Sequence, residues 1–447
     1  MCKAVQLFPF LLLFLVLIRP GHAATLGTVT TVVGSVSDII LDESRRRLYL
    51  VNSNANRLEV YSLANPIRLI NTIPTDSLPL TAAMSPDQKF LYVAAHNASS
   101  LNIVDLDLLA VVNRASLPAR PEGVGVGNDG RVLITTIGTG VGNSQNTLLI
   151  YDPNDNGAID TVVVVPPAPA IPPGAPPAGR AFLSNRSQLT ASADGNYIIG
   201  VNIPNNNQRV VFVYEVASAT VLRSRIVNNI SEVLAVSPDG KKFMSGLTLF
   251  DTETLEVLAQ QNLANAPYPI QPGTNFNTLQ NQGGSVFTPD GGALLSAFNI
   301  APGQNPAARP NISQLMLNDP DNLLIRLAYQ MPENLVGKMV MTRDGATIYA
   351  ISESGFVSIP IGAASRSPII DLAQSVLHLA SDQCGVTADI RKSTVAVTNT
   401  GTGRFSASAQ VLQLNPTGPG GLGGAGGAGG GQIGGGIVIV LPPTIPG

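Results

Sequence analysis

A short phrase of alternating apolar and polar residues returns seven times along the chain. In each copy an apolar segment runs into a turn centred on an acidic or Asp-Gly position, and a second apolar segment leaves it. Asp hydrogen-bonds its own backbone and Gly accepts a positive φ, so the phrase predicts a tight β-hairpin. The copies are residues 41–50 (LDESRRRLYL), 84–93 (MSPDQKFLYV), 126–134 (VGNDGRVLI), 191–199 (ASADGNYII), 236–244 (VSPDGKKFM), 287–295 (FTPDGGALL) and 341–349 (MTRDGATIY).

The spacing of these copies indicates the fold. The first core residues after the turns are separated by 43, 42, 65, 45, 51 and 54 residues. A strand-only repeat with a period near 40–50 is typical of a β-propeller. We therefore predict an all-β chain with a seven-bladed β-propeller. The core residues that set this register are Leu48, Leu91, Leu133, Ile198, Phe243, Leu294 and Ile348.

Each repeat reads as four short strands, and the ends of the propeller are expected to meet. The third strand alternates apolar and polar residues, as in residues 58–61 (LEVY) and 101–105 (LNIVD). Residues 28–33 (TVTTVV) precede the first repeat and are predicted to pair with residues 356–361 or 368–372. Such pairing would close the ring and remove an open sheet edge.

Insertions interrupt the repeat in three places. Residues 166–177 (PPAPAIPPGAPP) are too rich in proline for a central strand, and residues 264–282 and 301–310 are long and polar. Long loops on a rigid scaffold often bind ligands, and they are also where insertions are tolerated. Both interpretations remain open at this stage.

The two ends of the chain have different compositions from the repeats. Lys3, the apolar residues 5–18 and Gly21-His22-Ala23 have the order of a signal peptide, residues 1–23. The alternative is that this segment is not cleaved and anchors the chain in the membrane. We expect no membrane span elsewhere in the chain. We assign the propeller to residues 24–374. Residues 375–415 are expected to hold a short hairpin (394–399 with 405–412) or partial Ig-like segment, and residues 416–447 a Gly/Pro-rich disordered tail.

The low charge and the small number of histidines restrict the ligands that the chain can bind. Only 12% of the residues are charged and the formal net charge is −3, with no basic run to displace phosphate counterions, so nucleic acid is not an expected partner. His96 and His378 are the histidines beyond the signal segment. A metal site needs three or four converging ligands, so we predict neither a metal nor a cofactor. The turn aspartates are interpreted as turn formers and not as a calcium array.

Residues 48–63 (LYLVNSNANRLEVYSL) and 85–106 (SPDQKFLYVAAHNASSLNIVDL) resemble the bacterial YVTN-type propeller repeat. The resemblance covers about residues 28–372. It implies an exported bacterial protein of a superfamily that includes lactonase-like and cell-surface propellers. A true WD40 repeat is disfavoured because the chain has no Trp.

One set of charged residues falls near the predicted mouth of the central channel. Counting eleven residues back from the core positions brings Glu122 and Glu232 to equivalent places, with Asp38, Arg120 and Arg186 one or two positions away. Two carboxylates and an arginine can bind a polar ligand or polarise a carbonyl. A ring of solvated loop charges is the plainer interpretation.

We therefore expect an exported, monomeric, non-catalytic binding or interaction module, secreted, periplasmic or at the cell surface. Its ligand would be a protein or a polysaccharide. A lactonase-like hydrolase that uses Glu122 and Glu232 is the first alternative, in which Glu122→Gln abolishes turnover without changing the melting temperature. A structural or adhesion protein that makes its contacts through residues 375–447 is the second.

Overall fold

The structure is a computed structural model that describes the greater part of the repeat region. The described residues are 25–137, 147–163, 187–205, 208–227, 230, 233–261, 283–300, 312–364, 370–372, 397–399, 408–412 and 436–440. Within them the chain from Thr25 to Arg404 belongs to one compact unit, and Phe405–Gly447 belongs to another.

The repeats form seven four-stranded antiparallel sheets in the described residues, which confirms the all-β, seven-bladed propeller. Each blade places its first strand innermost, and in blades 1 to 6 the following strands pair outward in chain order. The strands of blades 1 to 3 are β2 (Val36–Asp42), β3 (Arg47–Asn52), β4 (Arg57–Ser62), β5 (Arg68–Pro74), β6 (Pro79–Met84), β7 (Phe90–Ala95), β8 (Ser100–Asp105), β9 (Ala110–Ser116), β10 (Arg120–Val126), β11 (Val132–Ile137), β12 (Thr147–Asp152) and β13 (Ala158–Val163).

Blades 4 to 6 repeat this arrangement. Their strands are β14 (Gln188–Ala191), β15 (Tyr197–Asn205), β16 (Gln208–Glu215), β17 (Thr220–Ile226), β18 (Leu234–Val236), β19 (Lys242–Ser245), β20 (Thr248–Asp251), β21 (Val257–Gln260), β22 (Ser285–Phe287), β23 (Leu294–Ile300), β24 (Ile312–Asn318) and β25 (Ile325–Gln330). In blade 5 only Gly246 and Leu247 separate the second and third strands.

Blade 7 is built from both ends of the propeller. Its inner strands are β26 (Leu335–Met341), β27 (Thr347–Ser352) and β28 (Gly355–Pro360), and its outer strand is β1 (Thr28–Thr31). Thr28 to Thr31 pair antiparallel with Ser358 to Gly355. The predicted closure by residues 28–33 is therefore confirmed, and it leaves β1 as the edge of the last sheet.

The hydrophobic core lies between blades, because each blade buries both faces of its middle strands. Leu48 and Leu50 pack toward Ile351 and Phe356 of blade 7, whereas Tyr49 and Val51 pack toward blade 2. The rings of Tyr61 and Phe356 meet edge to face at 5.2 Å across the 7–1 junction. Alternate residues of one strand thus stabilise two different junctions, which explains why the second strands read as continuous apolar runs.

The two faces of the propeller carry different connections. The loop face is where the first strands begin, and it includes residues 75–78, 96–99 and 117–119. The turn face is where the first strands end, and it includes the aspartate turns at residues 85–89, 127–131 and 237–241. The insertions 166–177, 264–282 and 301–310 lie outside the described residues.

Beyond the blades the described part of the chain holds a short helix and two isolated strand pairs. The helix is α1 (Ile361–Ala364), and β29 (Ile370–Leu372) pairs with β30 (Val397–Asn399). In the second unit β31 (Ser408–Leu412) pairs with β32 (Gly436–Val440). The described segments of the expected hairpin, Val397–Asn399 and Ser408–Leu412, therefore pair with other strands. Among the helices described, none has the length and apolar character needed to cross a membrane.

Candidate functional site

The candidate residues lie where the innermost strands are irregular. In blades 1, 2, 3 and 7 the pairing of the first strand with the second shifts register near the loop face. A bulge of this kind re-aims the side chains beside it and is common next to functional sites. Asp38 lies at the bulge of β2 and Glu122 at the bulge of β10.

Asp38 joins three blades. One carboxylate oxygen, Oδ2, accepts the backbone N–H of Ala82 in blade 2 at 2.9 Å. The other, Oδ1, accepts the N–H of Ile39 at 2.8 Å and the ammonium of Lys338 in blade 7 at 3.0 Å. Asp38 is buried, so these bonds replace the water that a carboxylate would otherwise bind.

Glu122 joins blade 3 to its neighbours in a similar way. Its side chain is fully buried, and Oε2 accepts the backbone N–H of Ser187 in blade 4 at 2.9 Å. The carbonyl oxygen of Glu122 accepts the hydroxyl of Thr81 in blade 2 at 2.7 Å. Glu122 thus lies inside the wall of the propeller and not in a solvated ring of loop charges.

The other predicted site residues are differently placed. Arg120 is exposed at the first position of β10, on the loop face. Arg186 and Glu232 lie outside the described residues, so the equivalence of Glu122 and Glu232 stays a prediction. The structure therefore brings Asp38, Arg120 and Glu122 to the same end of the first strands without showing all five residues together.

His96 is a further junction residue that the sequence did not single out as structural. It is buried at the end of the second strand of blade 2, with its Nδ1 2.9 Å from the carbonyl oxygen of Pro121 in blade 3. Because a carbonyl oxygen only accepts, Nδ1 must carry the proton. The sequence could have indicated this role by position alone, because other repeats have a small polar residue where the second repeat has His96.

The turn aspartates hold the turn face together locally. Five of them each accept the hydroxyl of a Ser or Thr two residues earlier and the N–H of the residue two positions later. The hydrogen bond from the hydroxyl is the main cause that holds the pKa of each of these carboxyls below its ordinary value. Burial of the carboxyl acts in the opposite direction and is the smaller effect. The pairs are Ser85–Asp87, Ser192–Asp194, Ser237–Asp239, Thr288–Asp290 and Thr342–Asp344. The predicted turn role of these acids is confirmed.

The described part of the chain contains no group of three or more His, Cys, Asp or Glu side chains that could hold a metal ion. What the first strands enclose instead is a cavity of about 830 Å³ along the centre of the ring. Its wall includes Lys338 at one end and the turn residues Glu43, Gln88 and Arg343 at the other.

Solved structures share the fold at low sequence identity. Hydrazine synthase from Kuenenia stuttgartiensis aligns with a TM-score of 0.53 and 14% identity, over 75% of this chain and 98% of that chain. A chain of a mitotic checkpoint complex aligns with a TM-score of 0.52 and 10% identity, over 80% and 99%. The β-propeller domain of Cps50 (Swd1) from Myceliophteria thermophila aligns with a TM-score of 0.49 and 10% identity, over 74% and 98%.

No protein-family model matches the chain, and no curated protein matches it by sequence. At identities of 10% and 14% the structural matches show the fold alone. The chain is therefore a seven-bladed β-propeller in which the buried carboxylate of Asp38 ties blade 1 to blades 2 and 7, and that of Glu122 ties blade 3 to blade 4.

Proposed function

We propose that this chain is an exported, non-catalytic β-propeller that serves as a binding or interaction module in the cell envelope or the extracellular space. It would act as a monomer and take a protein or polysaccharide ligand on the loop face. The observation that carries the proposal is the use of Asp38 and Glu122 as ties between blades, while Arg120 beside them stays exposed.

A hydrolase would need one of these carboxylates to accept a proton from a substrate or from water. Asp38 accepts three hydrogen bonds from the protein, and Glu122 accepts a backbone N–H while fully buried. A carboxylate that holds two blades together cannot leave its partners without loosening the scaffold. This geometry favours binding over the lactonase-like alternative.

Three further observations support the remaining parts of the proposal. The order of Lys3, an apolar run and small residues before position 24 is that of an export signal. A propeller of the same fold occurs in a structure of a mitotic checkpoint complex, so the architecture is compatible with a place in a protein assembly. The resemblance of residues 48–106 to the YVTN-type repeat supports a bacterial surface or secreted protein.

The test is a thermal-shift screen of the full chain against oligosaccharides, extended peptides and lactones. A ligand at 100 times its Kd adds about 2.7 kcal/mol to the free energy of unfolding and so raises the Tm visibly. We expect the shift to weaken in Arg120→Ala and to persist in Arg68→Ala. Arg68 is a matched control because it is also an exposed arginine at the first position of a strand, β5, which begins on the turn face. Lactone turnover by the wild type that disappears in a folded Glu122→Gln variant would contradict the proposal.

A further inference from the structure

The junction between blades 5 and 6 has a divided apolar core. At each of the other six junctions the buried apolar residues of the described chain form one cluster. Between blades 5 and 6 they form two clusters, so the apolar contact between these blades is less continuous and their attraction is weaker. The first cluster is Ala235, Met244, Leu249, Phe287, Leu294 and Leu323, and the second is Leu247, Phe298 and Met316.

Buried polar side chains lie beside both clusters of this junction. Asn318 lies opposite Leu294 of the first cluster, and Ser296 lies opposite Met316 of the second. Nδ2 of Asn318 donates to Oγ of Ser296 at 2.9 Å, and Nε2 of Gln261 in blade 5 donates to Oδ1 of Asn318. All three polar side chains are buried. Part of the contact between the two blades is therefore made by amides and a hydroxyl, whose hydrogen bonds water can replace when the blades separate.

Two further polar groups of blade 6 are buried against blade 5. Ser285 is 2% exposed and Gln314 is 1% exposed, and neither Oγ of Ser285 nor Oε1 of Gln314 makes a hydrogen bond with any described residue. Ser285 follows Gly284, which faces blade 7, so Ser285 faces blade 5. Gln314 lies on the same face of β24 as Met316, which packs on Leu247 of blade 5. A buried polar atom without a partner destabilises the closed junction, and separation of the blades would hydrate it.

Blade 5 is also a small sheet. Its second, third and fourth strands, β19, β20 and β21, have four residues each. The corresponding strands of blade 4, β15, β16 and β17, have nine, eight and seven. Shorter strands form fewer ladder hydrogen bonds, so blade 5 is held less firmly. Val233 occupies the register position of Asp38, and its side chain has no polar atom that could reach blade 6.

The junction on the other side of blade 5 and the closure of the ring are better tied. Arg225 of blade 4 donates to the carbonyl oxygen of Leu255 in blade 5 at 2.8 Å. At the closure, Lys338 of blade 7 donates to Asp38 of blade 1 at 3.0 Å. One apolar cluster fills each of these two junctions. Blade 5 is therefore held more firmly to blade 4 than to blade 6, although the chain ends meet elsewhere in the ring.

We propose that the ring opens transiently at the junction between blades 5 and 6, while the closure between blades 7 and 1 stays formed. The opening is a local transition whose free energy is lower than that of global unfolding. It hydrates Ser285 and Gln314. It also gives the central cavity a side entrance, because Ala235 and Phe287 belong both to the cavity wall and to this junction. The opening is independent of the ligand proposed above for the loop face.

Native-state cysteine labelling of the full chain, carrying Cys2→Ser and Cys384→Ser, tests the proposal. Cysteine replaces one fully buried leucine at a time: Leu249 between blades 5 and 6, Leu315 between blades 6 and 7, or Leu50 at the closure. We expect a thiol reagent to label Leu249→Cys about tenfold or more faster than either control. Its rate should also depend less on urea, because a local opening exposes less surface than global unfolding, and this holds even where a substitution lowers global stability. Equal rates with equal urea dependence, or fastest labelling at Leu50→Cys, would overturn the proposal.

A second comparison keeps the label at position 249 and changes a polar residue of the junction. Ser285→Ala removes the buried hydroxyl and should slow the labelling of Leu249→Cys several-fold. Ser352→Ala is the matched control and should leave the rate unchanged. Ser352 is also a buried serine whose hydroxyl makes no hydrogen bond with a described residue, but it lies in blade 7, on the face of β27 that carries Ala350 and packs on blade 6. Equal effects of the two substitutions would overturn the assignment of the opening to the junction between blades 5 and 6.

Discussion

Two junctions of the propeller use the same register position in opposite ways. Between blades 1 and 2 the position is Asp38, whose carboxylate crosses the gap to the N–H of Ala82. Between blades 6 and 7 it is Gly284, where an added Cβ would lie 2.3 Å from the carbonyl oxygen of Gly337. One junction is bridged by a charged side chain and the other by direct approach of two backbones. An acidic residue at this register position therefore indicates a junction wide enough to need a bridging side chain. It does not by itself indicate a catalytic site.

The largest expected effect is at the narrow junction. Gly284→Ala places a methyl group against backbone atoms of blade 7, Gly337 O at 2.3 Å and Met339 N at 3.1 Å, which cannot move aside as a side chain can. We expect a loss of about 3 kcal/mol or more in the free energy of unfolding, measured by urea denaturation. Gly362→Ala is the control, because its added Cβ would meet atoms only at 3.6 Å or beyond. If Gly284→Ala is as stable as Gly362→Ala, the close approach is not a constraint.

The next effect is at the bridged junction. Asp38→Ala leaves the buried N–H of Ala82 without an acceptor and Lys338 without its carboxylate. Because Lys338 is partly hydrated, we expect a loss of about 2–3 kcal/mol, less than for a fully buried pair. Asp107→Ala is the matched control: this acid pairs with Arg45 across the same two blades but is exposed, and its loss should cost less than about 1 kcal/mol. Equal stability of the two variants would show that the bridge contributes nothing beyond a surface ion pair.

Much of this scaffold could be predicted from sequence because the turns are local. Ser85, Asp87 and the N–H of Lys89 lie within five residues, so their hydrogen bonds follow from the order of residues alone. The positive φ also recurs at one place in the turn, with Gly240 at 70° and Gln88 at 59°. The closing strand was predictable as well, since Thr28–Thr31 is a β-branched segment placed before an unclosed ring.

The ties between blades could not be predicted in this way. The partners of Asp38 are Ala82 N, 44 positions away, and Lys338 Nζ, 300 positions away. Register counting placed Asp38 and Glu122 near one end of the first strands, but the bulges decide which way each side chain turns. Burial of Glu122 depends on that local irregularity and on Ser187 of the next blade. Neither appears in the pattern of a single repeat.

The smallest effect per residue is acid destabilisation of the turns. The pKa of Asp87, Asp194, Asp239, Asp290 and Asp344 is lowered in the folded chain, so each contributes stability above its unfolded pKa of about 3.9 and loses it as the pH falls through its folded pKa. The urea midpoint should fall progressively below about pH 4, and less steeply in Ser85→Ala, which removes one cause of the shift. The cost of Gly284→Ala involves no proton and should not change with pH.

The most direct test of the account is the free energy of unfolding of Glu122→Ala, measured beside the wild type by urea denaturation. If Glu122 ties blade 3 to blade 4, its removal leaves the N–H of Ser187 without the carboxylate, and we predict a loss of about 1–3 kcal/mol. A catalytic acid with no structural part would leave stability unchanged. Wild-type stability in Glu122→Ala would contradict the assignment of the ring carboxylates to the scaffold, and with it the argument for a non-catalytic module.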